Sequence, residues 1–382
     1  MISRRLVSLL AIAISAAGAA AAADQLVIVG TQLRTPGHGF SLVRFDAESG
    51  ALSAPEFVLE SPAPVFSVLH PDGHRLYVCQ GVSELAGTPG GVLGAYAIDP
   101  KTGHLSLLNL QATGGGETTH VSLDHTGHFL FTASYSGGNV AAFRLQPDGR
   151  IGARTAFVQH TGHGPRADRQ ESAHPHSIFA DPTNRFVLVP DLGLDKVFIY
   201  RFDAGTGALA PHTPAAFALP PASGPRHLAW HPDGKHVYLI NELANSVTAL
   251  AWDAAAGTLA ALQSLPTLAA DFHATNTAAE IAVHPTGRFL YASNRGTENC
   301  LTVYAIDPAT GKLTFVERVS SRGKRPRNFA LTADGRWLFA TNNETDNAVL
   351  FRVDPTTGRL TPVGEPVNLP VPHGIAILPT ER

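Results

Sequence analysis

Three arginines, a histidine and a glutamate between positions 176 and 327 carry the side chains best suited to chemistry: His176, Arg226, Glu242, Arg295 and Arg327. An imidazole and a carboxylate can divide the work of general base and general acid. Guanidiniums bind carboxylate or phosphate through paired N–H donors and steady negative charge as it develops. Tyr135, His174 and His373 are candidates for the surrounding substrate-binding shell. Like charges crowded into one concavity repel unless an anion or carboxylate compensates them. The set therefore predicts a small anionic ligand, provided the backbone gathers residues so far apart.

A repeat does the gathering. An acidic residue followed closely by glycine recurs seven times, at Asp46, Asp99, Asp148, Asp203, Asp253, Asp307 and Asp354, with spacings of 47 to 55 residues. Asp253-Ala-Ala-Ala-Gly257 and Asp307-Pro-Ala-Thr-Gly311 show the form. A period near fifty with strand–turn–strand signals predicts a radial array of small sheets, not one ordinary core. Between these turns lies a second element, an apolar strand, a His/Asp-Pro-x-Gly turn and another apolar strand. Leu228-Ala-Trp-His-Pro-Asp-Gly-Lys-His-Val-Tyr238 and Ile281-Ala-Val-His-Pro-Thr-Gly-Arg-Phe-Leu-Tyr291 are two of its six copies. Proline presets such a turn and glycine accepts the positive φ that closes it.

Six hairpins against seven acidic turns leave one blade short of a strand. His373-Gly-Ile-Ala-Ile-Leu-Pro379 supplies it, and Gln25-Leu-Val-Ile-Val-Gly30 is its expected partner. The fold class is therefore all-β, a seven-bladed β-propeller with one blade closed by pairing N- and C-terminal strands, which leaves no open edge in the ring. A linear solenoid would need capping repeats and would not explain complementary termini.

Registering the blades on the turn glycine locates the centre. Eight residues before it stand Val65, Thr119, His176, Arg226, Ala279 and Arg327, with His373 as the seventh. These begin the innermost strands and are expected to face one mouth of the central channel. Eight residues after it stand Gly81, Tyr135, Leu192, Glu242, Arg295 and Asn343, returning to the same mouth on the antiparallel neighbour.

Composition bounds the setting. The 382 residues are 44% hydrophobic and 15% charged, with 36 Gly and 28 Pro, and suit many short strands and tight turns. A net charge of −3 gives no basic field to recruit nucleic acid or an anionic membrane. Residues 1–23 read as a signal peptide: Arg4 and Arg5, an apolar middle, and Ala21-Ala22-Ala23 before a cleavage site at Asp24. Sec and twin-arginine routes both fit this head. Residues 24–382 are then a single periplasmic or secreted domain with no stable membrane anchor. Its 26 basic and 31 acidic side chains give a net −5. Cys79 and Cys300 lie in non-adjacent repeats, so a bridge between them is not expected.

The words Arg169-Gln-Glu-Ser-Ala-His-Pro-His-Ser177, Pro190-Asp-Leu-Gly-Leu-Asp-Lys-Val197, Gly224-Pro-Arg-His227, Asn241-Glu-Leu-Ala-Asn-Ser-Val247, Ser293-Asn-Arg-Gly296 and Pro326-Arg-Asn-Phe329 run in order along the chain. In that order and spacing the sequence resembles the seven-bladed propeller lactonase family, which includes 6-phosphogluconolactonase and carboxymuconate cyclases. The resemblance spans the whole mature chain. It implies an active site of a histidine, an arginine with a glutamate sixteen residues later, and a further arginine. Arg226 and Glu242 have that spacing; His176 matches the histidine, with His174 as its rival, and Arg295 matches the further arginine, with Arg327 as its rival. Lactone hydrolysis needs an activated water, a stabilised oxyanion and a protonated leaving oxygen. His176 and Glu242 could serve as base and acid in either order, while Arg226 and Arg295 hold an anion or the oxyanion.

The resemblance implies no metal and no other cofactor, and the histidines at 160, 163, 174 and 176 lack a matching carboxylate pattern. No Gly-x-Ser-x-Gly elbow supports a serine hydrolase. Gly114-Gly-Gly116 reads as a loop. His70, His231 and His284 read as turn residues, and Gly152–Ala173 as a long loop over the mouth. The function expected is an exported, metal-independent lactonase acting on a small anionic lactone of sugar-acid type. The alternatives are a lactonising cyclase acting on a carboxylate substrate and a non-catalytic binding propeller.

Overall fold

The computed structural model describes residues 25–33 and 35–379, so the expected signal peptide lies outside the described residues. Among them there is no α-helix. Strands form seven four-stranded antiparallel sheets and one small two-stranded hairpin, Glu84–Leu85 with Thr88–Pro89. Blades are numbered here from the one that holds the N-terminal strand.

Blade 5 shows how sequence makes a blade. Its strands, from the axis outward, are Pro225–Trp230, His236–Asn241, Ser246–Asp253 and Thr258–Pro266. The second and third are almost wholly buried, because sheets pack on both of their faces, whereas the outermost alternates with solvent. Core clusters accordingly straddle blade boundaries: Tyr238 and Ile240 of blade 5 pack with Leu290 and Ala292 of blade 6.

The two turn motifs fasten blade to blade. In the acidic turn, Asp253 Oδ1 accepts the N–H groups of Ala255 and Ala256 at 2.9 and 3.0 Å. Tyr238 OH, on the second strand of blade 5, donates to Gly311 O in the acidic turn of blade 6 at 2.9 Å; Tyr77 and Tyr291 repeat the bond to Gly149 and Gly358. In the hairpin turn, His231 Nε2 lies 2.9 Å from Gly287 O, and His70 and His284 repeat that bond to Gly127 and Gly335. A carbonyl can only accept, so each Nε2 carries the proton. Gly287 sits at φ +74, and a Cβ there would fall 2.6 Å from His231 Nε2. Glycine is needed at this turn for its conformation and for the close approach of the ring.

The ring closes as expected. Gln25–Thr31 pairs with Pro372–Ile377 on one side and Gly39–Phe45 on the other, placing Val27 opposite Ile377 and Val29 opposite Ile375. Blade 1 is thus stitched from both ends of the described chain.

Six of the seven innermost strands also carry one residue too many for their partners. In blade 5, Pro225 faces Asn241 and His227 faces Ile240, leaving Arg226 as the extra residue of a β-bulge. The same shift isolates Val65, Thr119 and Arg327 in blades 2, 3 and 7. Blade 6 shifts between Ala278 and Ile281, and blade 1 between Pro372 and Ile375. A bulge bends the strand and re-aims a side chain. Here it breaks the alternation that would send successive residues to opposite faces, and it does so at the channel mouth. One expectation is corrected: Ile151–Gln159 is the outer strand of blade 3, paired with Asn139–Leu145, because its apolar positions find partners there. The loop over the mouth is therefore confined to residues 160–178 apart from an isolated bridge between Pro175 and Asp191.

Candidate active site

The bulged residues and the ends of the second strands meet around a cavity of about 540 Å³ at one mouth of the channel. Glu242 follows the strand His236–Asn241 and is fixed by its backbone: its N–H donates to Gly224 O at 2.7 Å and its carbonyl accepts from Ala278 N at 3.2 Å. Gly224 can turn there because it takes φ +61, and Asp195 Oδ1 accepts its N–H at 2.8 Å. The Gly-Pro-Arg-His word therefore sets Arg226 beside Glu242 by backbone geometry.

The Glu242 carboxylate, 2% exposed, is held by three guanidiniums. Arg169 Nη2 donates to Oε1 at 2.6 Å, Arg295 Nη2 lies 2.8 Å from Oε2, and Arg226 Nε lies 3.1 Å from Oε2. Burial alone would raise this carboxyl's pKa, but Arg295, Arg226 and Arg169 override it and hold the group down at about 2. Glu242 is a permanent anion at neutral pH. His176 Nε2 stands 4.0 Å from Glu242 Oε2, too far for a direct hydrogen bond, and its Nδ1 is buried without a partner among the described residues. Burial, then Arg226, His227, Arg327 and Arg295, keep its ring well below the usual histidine pKa, so the imidazole is neutral.

Across the mouth, Arg327 is partly buried, and no carboxylate among the described residues pairs with it. Burial and the repulsion of Arg295 and Arg226 lower its pKa, and its Nε has no partner. Arg325 beside it pairs with Glu344 at 2.9 Å on the rim. The mouth thus has a half in which Glu242 offsets one of three guanidinium charges and a half around Arg327 with no paired carboxylate. The first can handle protons and the second can receive an anion.

The profile of the family described as "Lactonase, 7-bladed beta-propeller" matches residues 26–377. The chain belongs to this lactonase family. It is 36% identical over 350 residues to the 6-phosphogluconolactonase of Bacillus subtilis (strain 168), covering 92% of this chain and 97% of that one. It is 33% identical over 339 residues to the 6-phosphogluconolactonase of Formosa agariphila, covering 86% and 92%. Among solved structures it resembles the periplasmic gluconolactonase of Pseudomonas aeruginosa, with a TM-score of 0.87 and 32% identity over 94% of this chain and all of that one.

In this lactonase, His176, Arg226, Glu242, Arg295, Arg327, Tyr135 and His373 all line the cavity. His174 does not. Its ring stacks on Tyr135 at 4.3 Å, Nδ1 lies 2.9 Å from Tyr135 O, and Nε2 lies 3.1 Å from Glu171. The proline between them separates His174 from His176, and only the second faces the channel. Of the other aligned positions, Val65 and Thr119 line the cavity, whereas Ala279, Gly81, Leu192 and Asn343 do not.

The lining residues of the lactonase outside the aligned positions include Arg169, His227 and Glu280. Arg169 comes from the loop, which is anchored by Gln170 Nε2 donating to Leu192 O and Asp195 Oδ1, both at 2.8 Å. The loop is further braced by His160, whose Nδ1 lies 2.7 Å from Asp191 and whose Nε2 lies 2.8 Å from Tyr200 OH. That spends His160 on structure. His227 and Glu280 follow the bulged positions by one residue, and only the unforeseen bulges bring them to the channel. Outside the site, ligand-type atoms of His231, Asp233 and His236 also cluster. His231 Nδ1 accepts Asp233 N–H there, as His70 does from Asp72, so the cluster repeats the hairpin-turn wiring.

Proposed function

We propose that this lactonase hydrolyses a small anionic lactone of sugar-acid type by general acid–base catalysis, and that it does so outside the cytoplasm. The carrying observation is a buried carboxylate fixed by three guanidiniums with a neutral imidazole 4.0 Å away. Glu242, held ionised at about 2, is a poor proton acceptor but a fixed negative charge. His176 is neutral and turns Nε2 toward Glu242, which favours it as the base. A water between them would be oriented by Glu242 and would lose its proton to His176 as its oxygen attacks the lactone carbonyl. The imidazolium so formed is stabilised by the Glu242 charge. Arg226 and Arg295 would stabilise the negative charge that develops on the carbonyl oxygen. As the ring C–O bond breaks, His176 returns the proton to the leaving oxygen, leaving a hydroxy acid.

Arg327 would hold the substrate's own anionic group, since neither the fold nor a neighbouring carboxylate neutralises it. Export is supported by the basic, then apolar, then alanine-rich start of the chain and by the likeness to a periplasmic gluconolactonase. An extracytoplasmic setting favours a carboxylate-bearing sugar lactone over a phosphorylated cytoplasmic metabolite. The test is a hydrolysis screen over glucono-, galactono-, uronic-acid and 6-phosphogluconolactones with wild type and Arg226→Ala. Turnover of an anionic lactone that the variant loses is expected; no turnover of any lactone, or wild-type turnover in the variant, overturns the reading. Direct product analysis with a carboxymuconate distinguishes hydrolysis from lactonisation.

A further inference from the structure

The turn between the second and third strands of blade 4, Phe186–Asp191 and Lys196–Asp203, ends on Asp195, a buried residue in the left-handed region at φ +52. Asn245 and Asp346 hold the matching places in blades 5 and 7, at φ +49 and +51. All three do one repeated job. The carbonyl of each accepts a backbone N–H from the segment that enters the next blade, at Leu219, Thr267 and Leu369. Asp346 Oδ1 also accepts Val371 N–H at 2.8 Å. Joining two blades needs no more than that.

Asp195 does more. Its Oδ1 accepts Gly224 N–H and Gln170 Nε2, both at 2.8 Å, and Oδ2 accepts Ala222 N–H at 2.7 Å. Ala222 takes φ +64, a strained conformation for alanine that this carboxylate holds in place. Among the described residues, Asp195 alone of the three turn residues receives a side chain from the loop over the mouth.

Two segments of the site therefore meet on one oxygen atom. Gln170 is buried and directly follows Arg169 in the loop. Gly224 leads through Pro225 to Arg226, and its carbonyl accepts Glu242 N–H at 2.7 Å. Arg169 Nη2 in turn reaches Glu242 Oε1 at 2.6 Å. The circuit Arg169, Gln170, Asp195, Gly224, Glu242 closes on itself. A closed ring of hydrogen bonds fixes the separation of its members more tightly than an open chain does. The loop has other moorings, since Asp191 Oδ1 accepts His174 N–H and Leu192 O accepts Gln170 Nε2, both at 2.8 Å. These keep the loop on blade 4, whereas Asp195 ties it forward to blade 5.

We propose that Asp195 is a positioning residue for lactone hydrolysis, whose buried carboxylate locks the loop bearing Arg169 to the turn that sets Arg226 and Glu242. The proposal rests on the lactonase reading of this mouth. Asp195 does not itself line the cavity. It acts through Arg169, Arg226 and Glu242 by holding the three in one geometry before substrate arrives.

The test is a double-mutant cycle of Asp195→Asn with Arg169→Ala, with Arg226→Ala beside it. Steady-state kinetics use the lactone best hydrolysed among glucono-, galactono-, uronic-acid and 6-phosphogluconolactones. Three donors converge on two carboxylate oxygens, so an amide leaves at least one donor facing its NH2 group whichever way it turns. Asp195→Asn should lower kcat on the order of a hundredfold, with KM little changed because Arg327 on blade 7 lies outside the circuit. Arg169→Ala should cost about tenfold in kcat/KM in wild type and almost nothing in Asp195→Asn, since coupled neighbours are not additive. A merely structural role would leave the Arg169→Ala factor the same in both backgrounds. That result, or a wild-type kcat in Asp195→Asn, overturns the proposal. No turnover of any lactone, or turnover that survives Arg226→Ala, would instead sink the lactonase reading. Should Asp195→Asn fail to fold, Gln170→Met decides, because it cuts only the loop arm. A loss of about tenfold that Arg169→Ala does not deepen supports the proposal. An unchanged kcat/KM, or a loss that multiplies with Arg169→Ala, overturns it.

Discussion

Arg169 and Glu242, 73 residues apart in sequence, share a 2.6 Å charge-assisted hydrogen bond that joins the loop over the mouth to the second strand of blade 5. The carboxylate is buried, whereas the guanidinium side chain is 31% exposed. Arg169 is thus the most exposed of Glu242's three partners.

Arg169→Ala should therefore lower kcat/KM by at least about tenfold with little change in Tm, because the other two guanidiniums remain on Glu242. Arg169→Lys should restore little, since an ammonium cannot reproduce the planar fork. Steady-state kinetics beside a thermal melt checks both.

Glu242→Gln should differ by losing stability as well as rate. It leaves buried guanidiniums without their counter-charge, at a cost of about 3–5 kcal/mol, and kcat should fall by about 10²–10³. Full activity, or an unchanged denaturation midpoint, would contradict the electrostatic account of the mouth.

Acid should destabilise the fold earlier than carboxylate titration alone would require. His120, His176, His227 and His373 are held well below the ordinary value of 6.5 by burial first. Below 6.5 the unfolded chain binds protons that these folded rings refuse, so their contribution is present above 6.5 and lost as pH falls. Glu280, raised to about 7, works in the opposite sense: its contribution is present below 4.5 and lost as pH rises through 7. Four groups outweigh one, and each uncompensated proton changes stability by about 1.4 kcal/mol per pH unit. Tm should fall as pH drops from about 6.5 to 5, measured by calorimetry.

The fasteners between blades should be separable from chemistry. Tyr238→Phe removes the donor to Gly311 O and should cost about 1 kcal/mol in urea denaturation, with kcat unchanged. Tyr77→Phe and Tyr291→Phe should behave alike because the bond repeats at Gly149 and Gly358.

Secretion with cleavage before Asp24 should give a mature protein starting one residue before the strand Gln25–Thr31. Intact-mass measurement of the extracytoplasmic fraction checks this, and Arg4→Lys with Arg5→Lys separates the two export routes.

The repeat made most of the fold legible. Acidic turns and Pro-x-Gly hairpins counted the blades because each blade must reuse the same bonds to its neighbour, and Gln25–Gly30 matched the C-terminal strand because both are apolar and unpaired otherwise. Register on the turn glycine also gathered Arg226, Glu242 and Arg295, since spacing along a hairpin fixes height along the channel. What it did not carry was the bulge. A strict period of two sends His227 and Glu280 away from the face that bears Arg226, so a second polar layer could not be foreseen. Arg169 escaped for another reason: its loop has no counterpart in the other blades, and only the anchors at Asp191 and Asp195 say where it goes. Its presence in the Arg169–Ser177 word was the available signal.

His373 reaches the mouth on Pro372–Ile377, the strand that closes blade 1. Ribosomal order therefore makes it the last member of the constellation to be synthesised, and Gln25–Thr31 must wait for it with one edge bare. No shortened product lacking that strand can own a finished mouth, however well its other blades have formed. A C-terminal deletion series should therefore switch activity off in one step as the closing strand is lost.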